Sequence, residues 1–124
     1  MAITADPETM ATAEDHLLAV YLQEIKDYPP LTPGEEQRLL RARHEGGPVA
    51  EEAERALVQS YLQLVVSIAE TYIDSGLRLL DLIQEGNVGL MRAVRQYDPT
   101  DGTPFASFAG PRIAEAITQG IDEW

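Results

Sequence analysis

The residues from Leu79 to Val94, LLDLIQEGNVGLMRAV, have a helical pattern in which the apolar side chains do not stay on one side. At about 100° per residue, one face of this helix is apolar and is predicted to pack against a core. The inward residues are Leu79, Leu82, Ile83, Gly86, Leu90, Ala93, Val94 and Tyr97. The opposite face sets Leu80, Val88 and Met91 among charged side chains. Such a mixed face is typical of a partner site, and burial by another helix of the same domain is the alternative.

The rest of the chain also has helical spacing and no useful stretch of alternating strand pattern. Thr32 and Glu35 are predicted to form a capping box at the start of one helix. Pro111 lies inside the last helical pattern, so that helix either begins near Gly110 or is kinked. Helices are predicted over residues 14–26, from 32 to about 44, over about 49–74, from 79 to a stop at 97–99, and from 105 to about 121. We predict an all-α fold, a compact bundle of about five helices.

Length and composition indicate one domain. A chain of 124 residues with 44% hydrophobic residues can bury one core but not two. Residues 1–13 are predicted to form a flexible acidic tail, and residues 14–124 a single helical domain. Zero cysteines exclude disulfides, and the lack of a long apolar run predicts no membrane span. The first ten residues do not resemble a signal peptide, so we expect a cytoplasmic protein.

The charge is strongly acidic. Nine basic and 21 acidic residues give a net charge of −12, and neither half of the sequence is basic. Proteins that gain affinity by neutralising phosphates usually carry a basic face. The charge therefore argues against DNA binding by the chain on its own.

No group of residues has a catalytic arrangement. The serines lack the glycine-rich elbow of a hydrolase, and no glycine loop with a lysine could hold a phosphate. His16 and His44 lie far apart without companion ligands. We expect no enzyme activity, no metal and no cofactor.

Several segments together resemble the sigma-70 family, the dissociable initiation subunits of bacterial RNA polymerase. The QEGNVGLMRAV string and the helix from Leu79 to Val94 resemble region 2.2 of that family. Residues 58–72, VQSYLQLVVSIAETY, resemble region 2.1, residues 15–36 resemble region 1.2, and residues 97–121 occupy the place of regions 2.3 and 2.4. The resemblance implies a region 1.2-like part at residues 14–47 and a region 2-like part at residues 48–124.

The resemblance implies that the second face of the 79–94 helix binds core RNA polymerase. In the family, this helix docks on the clamp coiled coil of the largest polymerase subunit. The implied polymerase-binding residues are Leu80, Asp81, Gln84, Glu85, Asn87, Val88 and Met91.

The resemblance also implies contact with the non-template strand of the promoter −10 element, through aromatic side chains that stack on unpaired bases. The implied DNA-binding residues are Phe105, Phe108, Arg112, Glu115 and Thr118, with Arg92 and Arg95 as further candidates for phosphate contact. The chain departs from the family pattern, because Pro111 and Arg112 replace a tryptophan pair and Glu115 replaces a glutamine. Core packing is the alternative for the two phenylalanines, and pairing with nearby acids is the alternative for Arg92 and Arg95.

Two roles follow from these features. In the first, the chain is a sigma factor or sigma domain that binds core polymerase and takes part in −10 recognition and transcription initiation. In the second, it is an adaptor or competitor that binds the polymerase clamp without reading DNA. An anti-sigma factor is a further possible partner, and both a fragment of a longer subunit and a stand-alone module are compatible with the sequence.

Overall fold

The computed structural model describes the backbone of residues 7–124 and the side chains of residues 13–124. Within this part the chain is all-α, as predicted, and contains no strand. The helices are α1 (Pro7–Lys26), α2 (Pro33–Glu45), α3 (Ala50–Ser60), α4 (Leu62–Glu70), α5 (Leu79–Gln96) and α6 (Phe105–Glu123), with a 3-10 turn at Ile73–Ser75. None of the helices in the described part is long and apolar enough to cross a membrane.

Helix α1 begins at Pro7, earlier than the predicted start at Glu14. Residues 7–13 are therefore helical where the sequence predicts a flexible tail. Proline is favoured in the first turn of a helix because it lacks the N–H that the helix would leave unbonded. Residues 1–6 of the predicted tail lie outside the described residues, and the division of the chain into parts 14–47 and 48–124 stays a prediction.

The predicted helix over residues 49–74 is divided at Tyr61, which raises the number of helices in the described part from about five to six. Tyr61 has φ −113° and ψ 6°, outside the helical region. Its N–H donates to the carbonyl of Val58, whereas in a regular α-helix it would donate to the carbonyl of Leu57. Its hydroxyl donates to Glu36 of α2, and its ring packs edge-on against Phe105 of α6 at 5.0 Å. Contacts with two other helices therefore favour a break that local pattern does not predict.

The capping box at the start of α2 is present as predicted. The Thr32 hydroxyl accepts from the Glu35 N–H at 3.1 Å, and the Glu35 carboxylate accepts from the Thr32 N–H at 3.1 Å. These bonds hold the pKa of Glu35 below its ordinary value. The reciprocal bonds satisfy two N–H groups that the helix start leaves free.

Helix α5 lies at the centre of the bundle and packs against α2, α3, α4 and α6. Its predicted inward face is confirmed, except that Leu79 at the start of the helix is only half-buried. The buried residues of α5 are Leu82, Ile83, Gly86, Gly89, Leu90, Ala93 and Val94, followed by Tyr97. Because one face of α5 is buried along its length, the direction of its opposite face is set by the core.

Helix α6 crosses α5 at Gly89. A Cβ at this position would stand 2.7 Å from the Cβ of Ala116 and 2.8 Å from the carbonyl oxygen of Arg112. Helix α6 runs without a break through Pro111, which is exposed. Of the two alternatives for Pro111, a helix start near Gly110 is therefore wrong. Since Pro111 faces solvent, water can bond the carbonyl that the proline leaves without a partner.

Candidate functional site

The outer face of α5, formed by Asp81, Gln84, Val88 and Met91, is the first candidate surface. Val88 is 43% exposed and Met91 is 37% exposed. Gln84 is also exposed, and Asp81 is half-buried. No helix of the described part covers Val88 or Met91, so burial within the domain, the alternative interpretation, does not hold for these two side chains. Exposed apolar side chains among polar ones are what a partner site needs.

The other three predicted polymerase-binding residues point partly into the molecule. Asn87 donates to the hydroxyl of Tyr21 on α1 at 3.2 Å, and its own Oδ1 is buried without a donor among the described residues. Glu85 lies over Gly120, where a Cβ would stand 2.5 Å from the Glu85 Cγ. Leu80 is half-buried beside α1. These three side chains help to pack α1 and α6 against α5, in addition to any partner contact.

An apolar groove of about 520 Å³ lies beside the outer face, between α1 and the start of α5. Leu17 is 59% exposed and Ile73 is 58% exposed at its edge. Leu80 and Asp81 line it as well, so the groove is continuous with the outer face of α5. The helical pattern of the sequence does not predict this groove. The adjacent leucines 17 and 18 are only a weak signal, because two neighbouring residues on a helix can both face a core, as Leu82 and Ile83 do.

Asp81 belongs to a small ion-pair group at the start of α5. The Arg78 Nε lies 3.3 Å from the Asp81 Oδ2, and the same guanidinium pairs with Glu14 of α1. Arg78 is 65% exposed in its side chain, so these pairs contribute little to stability. They do hold the Asp81 carboxylate at the edge of the outer face.

A second ion-pair group joins three helices behind the outer face. Glu54 of α3 accepts from Arg43 of α2 at 3.0 Å and from two nitrogens of Arg95 on α5 at 2.9 and 3.0 Å. The bonds from Arg95 chiefly hold the pKa of the Glu54 carboxyl below its ordinary value. Of the two alternatives for Arg95, pairing with a nearby acid is the one observed. The guanidinium is therefore not free for phosphate contact in this conformation.

The structure corrects one of the predicted DNA-binding residues. Phe105 is only 1% exposed and packs edge-on between Tyr61 and Tyr97, at centroid distances of 5.0 and 5.2 Å. A ring in this position cannot stack on a base without opening the core. Core packing, the alternative interpretation, is therefore correct for Phe105. The spacing of three residues alone could not show which of Phe105 and Phe108 is buried.

Phe108 differs from Phe105 because it is only half-buried. One side of its ring meets Tyr97 edge-on at 5.2 Å, and the Arg112 Cζ lies 3.5 Å from its ring centroid. This distance is a cation–π contact. Phe108 and Arg112 therefore lie together at the surface of α6. This position is compatible with the prediction that both belong to one DNA-binding surface.

A polar cleft of about 200 Å³ lies between the side chains of α5 and α6, next to Arg112. The cleft is lined by Gly89, Arg92, Gln96, Arg112, Glu115, Ala116 and Gln119. Glu115 and Thr118 are exposed on α6, as a contact surface requires, although the Thr118 hydroxyl donates to the Ala114 carbonyl at 3.0 Å. Among the described residues, Arg92 has no carboxylate within ion-pair distance, in contrast to Arg95. The cleft thus gathers two guanidiniums in a chain of net charge −12.

Among residues 13–124, no group of three or more histidine, aspartate or glutamate side chains is placed to hold a metal ion. His44 lies 3.8 Å from an Asp98 oxygen, which is a surface ion pair when the histidine is protonated.

Comparison with known proteins connects this geometry to a family. The family model described as sigma-70 region 2 matches residues 57–122, which is more than half of the chain. The chain is 46% identical over 107 residues to the RNA polymerase sigma factor SigA of Lactococcus lactis subsp. cremoris, covering 86% of this chain and 29% of that protein. It is 43% identical over 102 residues to the SigA of a Bacillus species, covering 82% and 26% of the two chains.

A relative with a different name is similar over the same extent. The RNA polymerase sigma factor RpoS of Coxiella burnetii is 39% identical over 102 residues, covering 82% of this chain and 28% of that protein. The chain thus spans less than a third of the length of each of these relatives. The matched residues 57–122 include all of α5 and the cleft between α5 and α6. The chain belongs to the sigma-70 family and carries its region 2.

Proposed function

We propose that this chain acts in transcription initiation as the region 2 module of a sigma-70 factor that binds core RNA polymerase. The observation that carries the proposal is the outer face of α5, where Val88 and Met91 stay exposed beside Asp81 and Gln84. This face lies within the family match, and the relatives are named as RNA polymerase sigma factors. A rigid helix, fixed from behind by the core, presents the face without a change of fold.

The partner segment we propose is the clamp coiled coil of the largest polymerase subunit. A helix with exposed apolar side chains suits helix-on-helix docking, and the carboxylate of Asp81 and the amide of Gln84 can set the orientation. An anti-sigma factor that covers the same face would compete with polymerase.

We propose that α6 contacts the non-template strand of the promoter −10 element once the chain is bound to polymerase. Phe108 and Arg112 support this role through their position at the surface, and Glu115 and Thr118 through their exposure on the same helix. The net charge of −12 supports contact only in the complex, where the enzyme supplies basic surface. Cytoplasmic location accompanies this role.

The test of polymerase binding is capture of purified core RNA polymerase by Val88→Asp, compared with Val49→Asp. Both valines are exposed, 43% and 54%, but Val49 precedes α3 and lies beside α2 and the start of α3, not on the outer face of α5. We expect Val88→Asp to weaken capture at least about tenfold, because a charge replaces an apolar contact at the centre of the interface. Equal capture by both variants would place the polymerase surface elsewhere.

The same samples separate a sigma module from an adaptor or competitor. Asp81→Ala and Gln84→Ala are expected to weaken capture less than Val88→Asp. A fluorescent single-stranded −10 oligonucleotide is then added to the captured complex. Retention of the oligonucleotide is expected for a sigma module, whereas capture of polymerase without retention would indicate the adaptor or competitor.

A further inference from the structure

Asn87 lies at the edge of the outer face of α5, on the side of α1. It comes one helical turn after Gln84 and one turn before Met91, both of which are exposed on that face. The Asn87 side chain is half-buried, and its Nδ2 donates a hydrogen bond to the hydroxyl of Tyr21 on α1 at 3.2 Å. One residue of the predicted polymerase-binding surface is therefore bonded directly to α1.

The orientation of the Asn87 amide is a costly one. Its Oδ1 is buried and has no hydrogen-bond donor among residues 13–124. A buried acceptor without a donor costs free energy, and a half-buried asparagine could avoid that cost by turning its oxygen toward water. The hydrogen bond to Tyr21 offsets part of this cost, so the tyrosine hydroxyl holds the amide in the observed rotamer.

Tyr21 can hold Asn87 because α1 is itself fixed at this point. Ile25, one turn after Tyr21, is 4% exposed and belongs to the core, and Leu18 and Leu22 pack against the same core. The Tyr21 hydroxyl therefore has a defined position in the free chain, and the Asn87 amide is ordered before any partner binds. Ordering a side chain in advance removes an entropy cost from binding.

We propose that Tyr21 is a positioning residue for polymerase binding, because its hydroxyl fixes the Asn87 amide in the orientation that polymerase recognises. This role rests on the proposed function and makes α1 part of the polymerase-binding site. An amide nitrogen carries two N–H groups. Tyr21 accepts from one of them, and the second has no acceptor among residues 13–124. We expect a carbonyl or carboxylate oxygen of the polymerase to accept from this second N–H.

The test is a double-mutant cycle, in which the dissociation constant of the whole chain for purified core RNA polymerase is measured. Tyr21→Phe keeps the ring and removes only the hydroxyl. We expect it to weaken binding roughly 3- to 10-fold, which corresponds to the loss of one hydrogen bond. Tyr28→Phe, at an exposed tyrosine just after α1, is the matched control and should bind as the unaltered chain does. Thermal unfolding confirms that each variant is folded.

Asn87→Ala supplies the other side of the cycle. Alone it should weaken binding at least as much as Tyr21→Phe. When residue 87 is alanine, Tyr21→Phe should have no further effect, because the hydroxyl acts only through the amide. Unchanged binding by either single variant would overturn the role of Tyr21, and so would effects that multiply in the double variant, since Tyr21 would then act independently of Asn87. Failure of the unaltered chain to bind core polymerase would overturn the proposed function and the role of Tyr21 with it, whereas the other outcomes concern Tyr21 alone.

Discussion

At the scale of single residues, the absence of a side chain at Gly86 and Gly89 lets α4 and α6 approach α5 closely. A Cβ at Gly86 would stand 2.7 Å from Val65 Cγ1, and one at Gly89 would stand 2.7 Å from Ala116 Cβ. Gly89 is the more restrictive position, because two of its three nearest neighbours are backbone atoms of α6, which a rotamer change cannot move. Gly89 also lines the cleft beside Arg112 and Glu115.

We therefore expect Gly89→Ala to lower the free energy of unfolding by about 1–3 kcal/mol, because overpacking exceeds the gain in helix propensity. Gly34→Ala is the matched control, since nothing lies within 4 Å of a Cβ there, and it should be neutral or stabilising by about 0.4–1 kcal/mol. The free energies of unfolding of both variants are measured by urea unfolding. The comparison is valid when the slope of this free energy with urea concentration is the same for each variant. Equal stability of Gly89→Ala and the unaltered chain would mean that the helices separate at little cost.

At the scale of elements, one carboxylate connects three helices. Glu54 on α3 receives hydrogen bonds from Arg43 on α2 and Arg95 on α5, and its side chain is 17% exposed. The pair with Arg95 fixes α3 against the helix that carries the outer face. The lowered pKa of Glu54 means that the folded state favours the carboxylate. The stability that this contributes is present above the ordinary pKa of 4.5 and is lost as the pH falls through the lower pKa of the folded state.

Glu54→Gln is expected to lower the free energy of unfolding by about 0.5–1 kcal/mol at neutral pH, since both guanidiniums lose their ionic partner. The difference from the unaltered chain should shrink once the pH falls below 4.5, where unfolded Glu54 becomes protonated. Glu52→Gln, exposed on the same helix and without an ion pair among the described residues, is the control. Denaturant unfolding at a series of pH values measures the effect, and a difference that does not vary with pH would contradict it.

At the scale of the whole molecule, the negative net charge opposes the DNA contact that membership of the sigma-70 family implies. The chain carries 21 acidic against nine basic residues, and four of the basic side chains are occupied in ion pairs or in the cation–π contact with Phe108. Free DNA is therefore repelled by most of the surface. The contact between α6 and DNA that we propose therefore depends on basic surface supplied by the polymerase.

Glu115→Gln combined with Ala114→Arg removes one negative charge from α6 and adds one positive charge. We expect this double variant, in complex with core polymerase, to bind a single-stranded oligonucleotide roughly fivefold or more tightly at 0.1 M salt, with a steeper salt dependence. Glu52→Gln combined with Ala42→Arg makes the same change of charge on α2 and α3, and should have a much smaller effect. Titration by fluorescence anisotropy at several salt concentrations measures both, and unchanged binding would show that α6 does not face the DNA.

Local sequence patterns predict the helical class, the inward face of α5, the capping box of α2 and the family, because each depends on local spacing or on a contiguous string of residues. The outer face of α5 followed only in part from the inward one, since Leu80, Glu85 and Asn87 pack partly against α1 and α6. The folded chain is needed to show that Phe105 is buried while Phe108 is only half-buried, that the long helix breaks at Tyr61, and that Arg95 pairs with Glu54. These outcomes depend on contacts between residues far apart in the chain, and such contacts leave no signal in local periodicity. The contact of Arg112 with Phe108 depends on both local spacing and tertiary packing. The two residues are one helical turn apart, which brings their side chains together, and the Phe108 ring packs against Tyr97.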